Sequence, residues 1–388
     1  MEIRIISALC LCTLLFSFII PDYLKIGDMQ DSRYSIFLVG TYTRAEGHVE
    51  GRGAGLYRCI LDNETGEIIS CDDFPAGDNP SYVAIHPNRE FVYTANEIGS
   101  RSGENEGVVG AYHLQKDDGS ITKLNERPSV GKAPCHISIN KEGTYVFVAN
   151  YVNGSIAAYP ILKDGSLGKK SDSVIYGGSG DHPRQDSPHA HYIEQGESGM
   201  VFSTDLGTDS IHIFQFVNGV FEKSGYSMKT LPGAGPRHLT FHGVKEVFYV
   251  LNELNTTIEV FEKSPRSDQY ERIQTIHTRS DHSSNGGCAA IHIDASNQFL
   301  YATNRGPYNE IVLFKVLKNG TSEKVDVVSS YGKTPRDFAL SPTDRHIVLA
   351  NQDSDNLITY AIDGETGKLR KVSEYNGVFS PVCVKFYD

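Results

Sequence analysis

The chain has 388 residues, of which 39% are hydrophobic and 22% are charged, an ordinary balance for a soluble protein. Its formal net charge of −12 argues against a nucleic-acid partner, because a general nucleic-acid binder needs a basic surface. The charge does not exclude a small anionic substrate, since a local arginine cluster can outweigh the overall field.

An apolar leader begins the chain. Residues 3–20 are almost wholly apolar, with Arg4 near their start and Pro21-Asp22 after them, which predicts that residues 1–28 are an export signal or an uncleaved membrane anchor. The run lacks a small-x-small cleavage site, and Met29 stands just before the first predicted strand, so a misassigned start codon is a third interpretation. We expect a periplasmic or extracellular protein, or a membrane-anchored one, if the leader is genuine. If translation starts at Met29, we expect a cytoplasmic protein with no membrane contact.

Two cysteines flank a predicted turn at residues 63–66. Cys59 and Cys71 would lie opposite each other in that hairpin, where they form a disulfide if the protein is exported, or remain free thiols. No Cys-x-x-Cys spacing suggests zinc or iron–sulfur, and no haem or dinucleotide motif occurs, so neither a metal nor another cofactor is expected.

One sequence pattern recurs seven times along the chain, and each repeat begins with a short turn and an anchor residue. These first anchors are spaced 46 to 54 residues apart and are Pro80, Pro134, Pro188, Pro236, Cys288, Pro335 and Pro381. A second anchor, usually Asn, follows 16 or 17 residues later: Asn96, Asn150, Asp205, Asn252, Asn304 and Asn351. A repeat of this length fits the four strands of a propeller blade.

The segments between the anchors are short, apolar and rich in strand formers, as in residues 248–252 and 300–304, and none has a sustained helical period. The seventh unit has only its first strand, residues 381–387, and residues 34–41 begin the strands that complete it. The sequence therefore predicts an all-β fold, a single seven-bladed β-propeller of four-stranded antiparallel blades spanning residues 33–388. Its ring closes by pairing both chain ends in one blade. Because closed propellers are often monomers, a monomer is expected.

Three loops break the regularity, at residues 44–54, 99–107 and 177–187. They either line the rim of the central funnel, where propellers usually bind ligands, or are plain surface elaborations.

The residues after each anchor predict the contents of the channel, because the innermost strand of every blade lines it. These residues include His136, His189, Arg237 and Arg336 after the first anchors, and Glu253 and Arg305 after the second. A single His or a repeated Asn usually has a structural role, but the convergence of three arginines is different. Glu253 alone cannot balance them, so the sequence predicts an anionic ligand.

The motifs around these residues carry a specific resemblance. Residues 233–242 (GAGPRHLTFH) and 249–255 (YVLNELN) resemble the signature of the propeller-type 6-phosphogluconolactonases. The further segments that resemble it are 40–43, 134–138, 289–293, 300–305 and 334–336. The likeness extends over residues 34–388, and the same superfamily contains the fungal-type carboxy-cis,cis-muconate lactonizing enzymes.

The resemblance implies metal-independent chemistry on a small anionic lactone. By position it implies catalytic roles for His189, Arg237, Glu253 and Arg305. Arg237 would stabilise the oxyanion, and Glu253 or His189 would act as the base. The further candidates for substrate binding are His136, Arg336, Asn150 and Asn304.

Three functions remain open on the sequence. The leading hypothesis is hydrolysis of a sugar lactone of the 6-phosphogluconolactone type. The alternatives are a carboxymuconate-type lactonizing cycloisomerase and an exported propeller that binds a ligand without turnover. A leader is unexpected for an enzyme that acts on a phosphorylated cytosolic sugar, which leaves the particular substrate more open than the chemistry.

Overall fold

A computed structural model of the chain describes residues 33–387, except 48, 100–105, 116–118, 223–224, 268 and 282–286. The predicted leader and most of the 99–107 loop lie outside the described residues. Within the part of the chain that the structure describes, no helix has the length and apolar character needed to cross a membrane.

Seven four-stranded antiparallel sheets form the blades, which confirms the predicted propeller. The chain begins with β1 (Tyr34–Thr41), the small hairpin β2 (Ala45–Glu46) and β3 (Val49–Glu50), β4 (Leu56–Asp62) and β5 (Ile68–Phe74). Blade 1 contains β6 (Pro80–Ile85), β7 (Phe91–Asn96), β8 (Val108–Leu114) and β9 (Ile121–Pro128). Blade 2 contains β10 (Pro134–Ile139), β11 (Tyr145–Asn150), β12 (Ser155–Pro160) and β13 (Asp172–Ile175). Blade 3 contains β14 (Ala190–Gln195), β15 (Val201–Asp205), a 3₁₀ turn (Leu206–Thr208), β16 (Ser210–Phe214), the small hairpin β17 (Phe216–Val217) and β18 (Val220–Phe221), and β19 (Tyr226–Lys229).

The remaining strands continue in the same order. Blade 4 contains β20 (Pro236–Phe241), β21 (Val247–Asn252), β22 (Thr257–Lys263) and β23 (Tyr270–His277). Blade 5 contains β24 (Gly287–Ile293), β25 (Phe299–Arg305), β26 (Glu310–Val316) and β27 (Ser322–Ser329). Blade 6 contains β28 (Pro335–Leu340), β29 (His346–Asn351), β30 (Asn356–Ile362) and β31 (Leu369–Tyr375), and the chain ends with β32 (Pro381–Phe386).

The ring closes in blade 7, whose strand order is β32-β1-β4-β5. The last strand of the chain pairs antiparallel with the first, with Phe37 opposite Phe386 and their ring centroids 5.1 Å apart. This pairing covers the edges that both terminal strands would otherwise expose, as the sequence predicted.

The hydrophobic core lies between the blades. Every residue of β21 and β29 is buried, because neighbouring blades cover both faces of these strands. The outermost strand β27 alternates buried or half-buried residues with exposed ones along most of its length. This burial explains why the second strand of each unit reads as a short continuous apolar run rather than an alternating one.

The two cysteines of the first hairpin lie where the sequence predicted. Cys59 on β4 is directly opposite Cys71 on β5, and the two form a disulfide. The other cysteines of the described residues are free and buried: Cys135, Cys288 and Cys383.

Candidate active site

A cavity of about 590 Å³ opens at the end of the channel where the innermost strands begin. Two positions in the blades, together with the 177–187 loop, supply most of the polar side chains that line it. Each position recurs from blade to blade, so the repeat itself determines which residues face the ligand space.

The first position is a bulge at the start of the innermost strand. In blades 2, 3, 4 and 6 the pairing with the second strand skips one residue after the first pair, and the skipped residue lines the cavity. Such a bulge redirects a side chain that a regular strand would direct elsewhere. The four residues at this position are Cys135, His191, Arg237 and Arg336.

The second position is the residue that directly follows the second anchor. In five blades this residue lines the cavity: Glu97, Tyr151, Glu253, Arg305 and Gln352. The anchor asparagines themselves hold the adjoining turns. Asn351, for example, donates through Nδ2 to the Ser330 carbonyl at 2.9 Å.

His189 does not line the cavity in the structure. The cavity position that the sequence assigned to His189 is occupied by His191. The sequence pattern predicted Pro188 as the first anchor of blade 3, but Ala190 is the residue that pairs with the second anchor, Asp205. The last pair of the β14–β15 hairpin is Gln195 with Val201, which encloses one residue fewer than the last pair of blade 4, Phe241 with Phe248. The paired anchors are therefore 15 residues apart in blade 3, against 16 in blade 4. The offset of 17 rather than 16 residues was the available signal of this shift.

His189 instead packs against Tyr151, which lines the cavity. Its ring stacks on Tyr151 with centroids 4.5 Å apart and planes 10° apart. Its Nδ1 lies 3.0 Å from the Tyr151 carbonyl oxygen, and its backbone N–H donates to Asp205 Oδ1 at 2.7 Å. These contacts fit a residue that positions Tyr151.

Glu253 is the centre of the site, with a side chain in contact with three guanidinium groups. Oε1 accepts a hydrogen bond from Arg184 Nη1 at 2.5 Å. Oε2 lies 3.0 Å from Arg237 Nε and 3.0 Å from Arg305 Nη2. Burial raises the pKa of Glu253, but the charges of Arg305, Arg184 and Arg237 outweigh it and hold the pKa well below its ordinary value. The carboxylate is therefore ionised at neutral pH.

Two of these arginines are fixed by backbone carbonyls as well. Arg237 donates from Nη1 to the Ala289 carbonyl, and Arg305 donates from Nη2 to the Cys288 carbonyl at 3.1 Å. Arg237 is only 2% exposed. Burial and the nearby charge of Arg305 lower the pKa of Arg237 to about 10 despite Glu253, so it stays charged at neutral pH.

His191 provides a neutral imidazole in the same cavity. Burial, reinforced by the charge of Arg237, lowers the pKa of His191 well below its ordinary value. Its Nδ1 is buried and has no hydrogen-bond partner among the described residues. A neutral imidazole beside a cavity can accept a proton.

A second buried carboxylate corrects the sequence-based view that Glu253 alone faces the arginines. Glu97 Oε2 accepts from Tyr42 at 2.8 Å and Ser81 at 2.7 Å, and Arg336 Nη2 lies 3.4 Å from it. Four guanidinium groups, including that of Arg184, thus share the cavity with two buried carboxylates and with Asp353, which is exposed. The cavity keeps a positive surplus, although a smaller one than the sequence implied.

His136 directly follows Cys135 in β10 but does not line this cavity. Its ring lies between Tyr82 and Tyr192, with centroids 4.4 and 4.1 Å away, and lines a second cavity of about 450 Å³. Asn150 and Asn304 line neither cavity. Asn150 donates to the Ser129 carbonyl at 3.1 Å, and Asn304 donates to Glu310 Oε1 at 2.8 Å, so both serve the turns of their blades.

Sequence reasoning missed Glu97, Tyr151, Arg184 and His191. Glu97 and Tyr151 directly follow Asn96 and Asn150, as Glu253 follows Asn252, so the repeat held the signal for both. Arg184 lies in the 177–187 loop, which was expected to rim the funnel, but nothing in the repeat predicts the reach of its side chain. Among the described residues, no cluster of three or more His, Cys, Asp or Glu side chains could hold a metal ion.

The fold and this site define a propeller enzyme with a cationic, carboxylate-centred channel site. The profile of the family described as "Lactonase, 7-bladed beta-propeller" matches residues 36–386. The chain belongs to this family and is a lactone-hydrolysing enzyme.

Several named proteins resemble the chain over nearly its whole length. It is 34% identical to the 6-phosphogluconolactonase of Bacillus subtilis, covering 90% of this chain and 97% of that protein. It is 29% identical to a 6-phosphogluconolactonase of Formosa agariphila, covering 83% of this chain and 92% of that protein. The solved structure of a periplasmic gluconolactonase from Pseudomonas aeruginosa matches with a TM-score of 0.83 and 28% identity, covering 92% of this chain and 99% of that one.

Proposed function

We propose that the protein hydrolyses an anionic sugar lactone of the 6-phosphogluconolactone type in the cavity around Glu253, without a metal ion. The observation that carries this proposal is the surplus of guanidinium groups over buried carboxylates in a cavity that also holds a neutral imidazole. Buried cations that carboxylates do not fully balance favour an anionic ligand. The Bacillus relative, a 6-phosphogluconolactonase, supports the same substrate class.

The reaction adds water to the lactone carbonyl carbon and breaks the bond from that carbon to the ring oxygen. A base takes a proton from the attacking water, and the ring oxygen receives a proton as it leaves, so the product is the open hydroxy acid. Glu253 and His191 both line the cavity and can take this proton. The choice between them is open to direct test by mutation.

Arg237 and Arg305 are the groups that can stabilise charge on the carbonyl oxygen as water attacks. Both are fixed before substrate arrives, by backbone carbonyls and by Glu253, and such preorganised charge costs little reorganisation. Arg336 lies across the same cavity and is only loosely paired, with Gln352 Oε1 at 3.4 Å and Glu97 Oε2 at 3.4 Å. It is suited to the phosphate of the substrate, for which the arginine fork is a good partner.

Export of the protein is a second part of this proposal. The apolar leader and the Cys59–Cys71 disulfide both favour an oxidising compartment. The Pseudomonas relative is described as periplasmic and as a gluconolactonase. An exported enzyme would more readily meet an unphosphorylated lactone, so the assay must compare both forms.

The test offers the purified protein 6-phosphogluconolactone, δ-gluconolactone and a carboxymuconate, with and without a chelator. We expect acid release from the phosphorylated lactone with the highest kcat/KM, unchanged by the chelator. Faster hydrolysis of δ-gluconolactone would overturn the phosphorylated substrate but keep the lactonase. Loss of diene absorbance without lactone hydrolysis would indicate the cycloisomerase, and no reaction would favour a binding protein.

A further inference from the structure

Arg184 differs from the other two arginines that contact Glu253. It lies in the 177–187 loop between β13 and β14, whereas Arg237 and Arg305 belong to strands and are also held by backbone carbonyls. The Arg184 side chain is 48% exposed, against 2% and 18% for the other two. Its guanidinium crosses the cavity mouth to Glu253 Oε1 at 2.5 Å and to the hydroxyl of Tyr151 at 2.9 Å.

The backbone beside Arg184 is firmly anchored. The neighbouring Gln185 is fully buried, and its Nε2 donates to the Leu206 carbonyl and to Asp209 Oδ1, both at 2.7 Å. The Gln185 carbonyl oxygen also accepts from the backbone N–H of Gly180 at 2.8 Å. The loop backbone is therefore held in place independently of the Arg184 side chain, and exposed side chains in general rotate within picoseconds to nanoseconds.

The two oxygens of Glu253 are divided between these partners. Arg237 and Arg305 contact Oε2, while Arg184 contacts Oε1. When Arg184 is in place, a water molecule that needs Glu253 as proton acceptor finds Oε1 already engaged by a cation. When Arg184 leaves, Oε1 becomes available to water, and the carboxylate loses one of the charges that weaken it as a base.

We propose that Arg184 is a substrate-responsive gate that covers Glu253 Oε1 in the free enzyme and turns onto the anionic group of the incoming lactone. The proposal rests on the proposed function and names the residue that selects charged lactones. The move breaks the hydrogen bonds of Arg184 to Glu253 and to Tyr151, and the anionic group of the substrate replaces them with charge-assisted ones, whereas a neutral lactone offers Arg184 no such partner. A charged substrate therefore both binds Arg184 and uncovers Glu253 Oε1.

The charged and titratable groups that act on Glu253 come from several blades and the 177–187 loop: Arg184, Arg237, Arg305, Arg336, His191, Tyr151 and Cys288. Removal of the Arg184 charge leaves two cations on the carboxylate, so its pKa moves upward towards the ordinary value. The pH profile therefore reports whether Arg184 acts on Glu253, and the comparison of a charged with a neutral lactone separates a gate from a static ion pair.

The test compares Arg184→Gln with a matched control, Arg33→Gln. Arg33 pairs with Asp62 at 3.2 Å, and this pair has the same side-chain exposures, 48% and 5%, as Arg184 and Glu253, but it does not line the cavity. For Arg184→Gln we expect kcat/KM for 6-phosphogluconolactone to fall by about tenfold or more, as expected for the loss of one charge-assisted hydrogen bond. For δ-gluconolactone we expect it to be unchanged or higher, with the acidic limb of its pH profile moved to higher pH.

Binding of the products gives a second readout that does not depend on turnover. By calorimetry, Arg184→Gln should weaken 6-phosphogluconate binding about tenfold and leave gluconate binding unchanged, while Arg33→Gln changes neither. An equal loss with both lactones, or an unmoved pH profile, would overturn the gate and leave the proposed function standing. A wild-type protein that hydrolyses neither lactone would overturn the proposed function, and weakened 6-phosphogluconate binding in Arg184→Gln would then identify Arg184 as a ligand-binding residue only.

Discussion

Arg237 Nε lies 3.0 Å from Glu253 Oε2, and both residues lie at the open end of the single hairpin that β20 and β21 form in blade 4. Arg237 occupies the bulge at the start of that hairpin, and Glu253 directly follows its end. Their proximity is therefore a local property of one blade. Arg305 and Arg184 reach the same carboxylate from blade 5 and from the 177–187 loop, so only ring assembly completes the site.

The first prediction concerns Glu253 itself. Glu253→Gln keeps the shape of the side chain but cannot take a proton, so we expect lactonase kcat/KM to fall at least tenfold. Circular dichroism and thermal melting should show an intact fold. Glu246→Gln, which changes an exposed carboxylate in the same blade, is the control and should match wild type. Wild-type rates in Glu253→Gln would remove Glu253 from the mechanism.

His191 and His189 make a matched pair for the second prediction. His191→Ala removes a neutral imidazole from the cavity, and the loss should reach about 100-fold in kcat if it is the base. His189→Ala removes only the ring stacked behind Tyr151, and we expect less than a threefold loss. The measurement compares the steady-state rates of the two variants. A larger loss of kcat in His189→Ala would restore the catalytic role that the sequence assigned to His189.

Glu194 gives a stability prediction with a defined pH dependence. It faces the second cavity, where burial raises its pKa to about 7 although Lys385 and Lys141 act in the opposite direction. In the unfolded chain the group ionises near 4.5, so the folded state binds more protons between these values and stability falls as pH rises from about 4.5 to 7. Glu194→Gln removes this penalty. Its Tm should exceed that of wild type at pH 8 and approach it at pH 4.5.

The check is a melting series from pH 4.5 to 8 on both proteins. Glu194 lies at the opposite end of the channel from Glu253, so lactonase rates should stay at wild-type level. A constant difference in Tm across the series would show that the titration of Glu194 does not couple to folding.

The disulfide yields the last prediction. Cys59 and Cys71 are 12 positions apart in the sequence and close a short loop in the outer strands of blade 7, away from the cavity. Loops of this size contribute about 3 kcal/mol in the chain-entropy model. The double change Cys59→Ser with Cys71→Ser should lower Tm by several degrees and leave kcat unchanged, and a reductant should lower the wild-type Tm but not that of the double variant. A wild-type Tm that does not respond to reductant would show that the two thiols are unpaired in the purified protein.

The sequence was informative wherever the repeat was regular. The near-constant spacing of Pro and Asn anchors predicted seven blades and the pairing of the chain ends, because every blade must cover the same apolar faces with the same short strands. It also predicted that Arg237, Glu253, Arg305 and Arg336 would converge, since equivalent positions in a ring face one axis. The opposition of Cys59 and Cys71 followed from hairpin geometry in the same way.

The tertiary structure alone decided two kinds of feature. One is the register of the blades in which the repeat is irregular, and the other is the contacts of side chains that cross from one unit to another. In blade 3 the residue that pairs with Asp205 is Ala190 and not Pro188, so the cavity position is His191 rather than His189, and only the strand pairing shows this register. The alternation of strand faces together with the bulge placed His136 in the other cavity. The reach of Arg184 to Glu253 joins residues 69 positions apart, and no local pattern encodes such a contact. By itself the sequence determined the seven-bladed ring and most of the charged side chains that face its axis. The hydrogen-bond and ion-pair partners of these side chains, which set their pKa values, depend on how the blades and the 177–187 loop pack together.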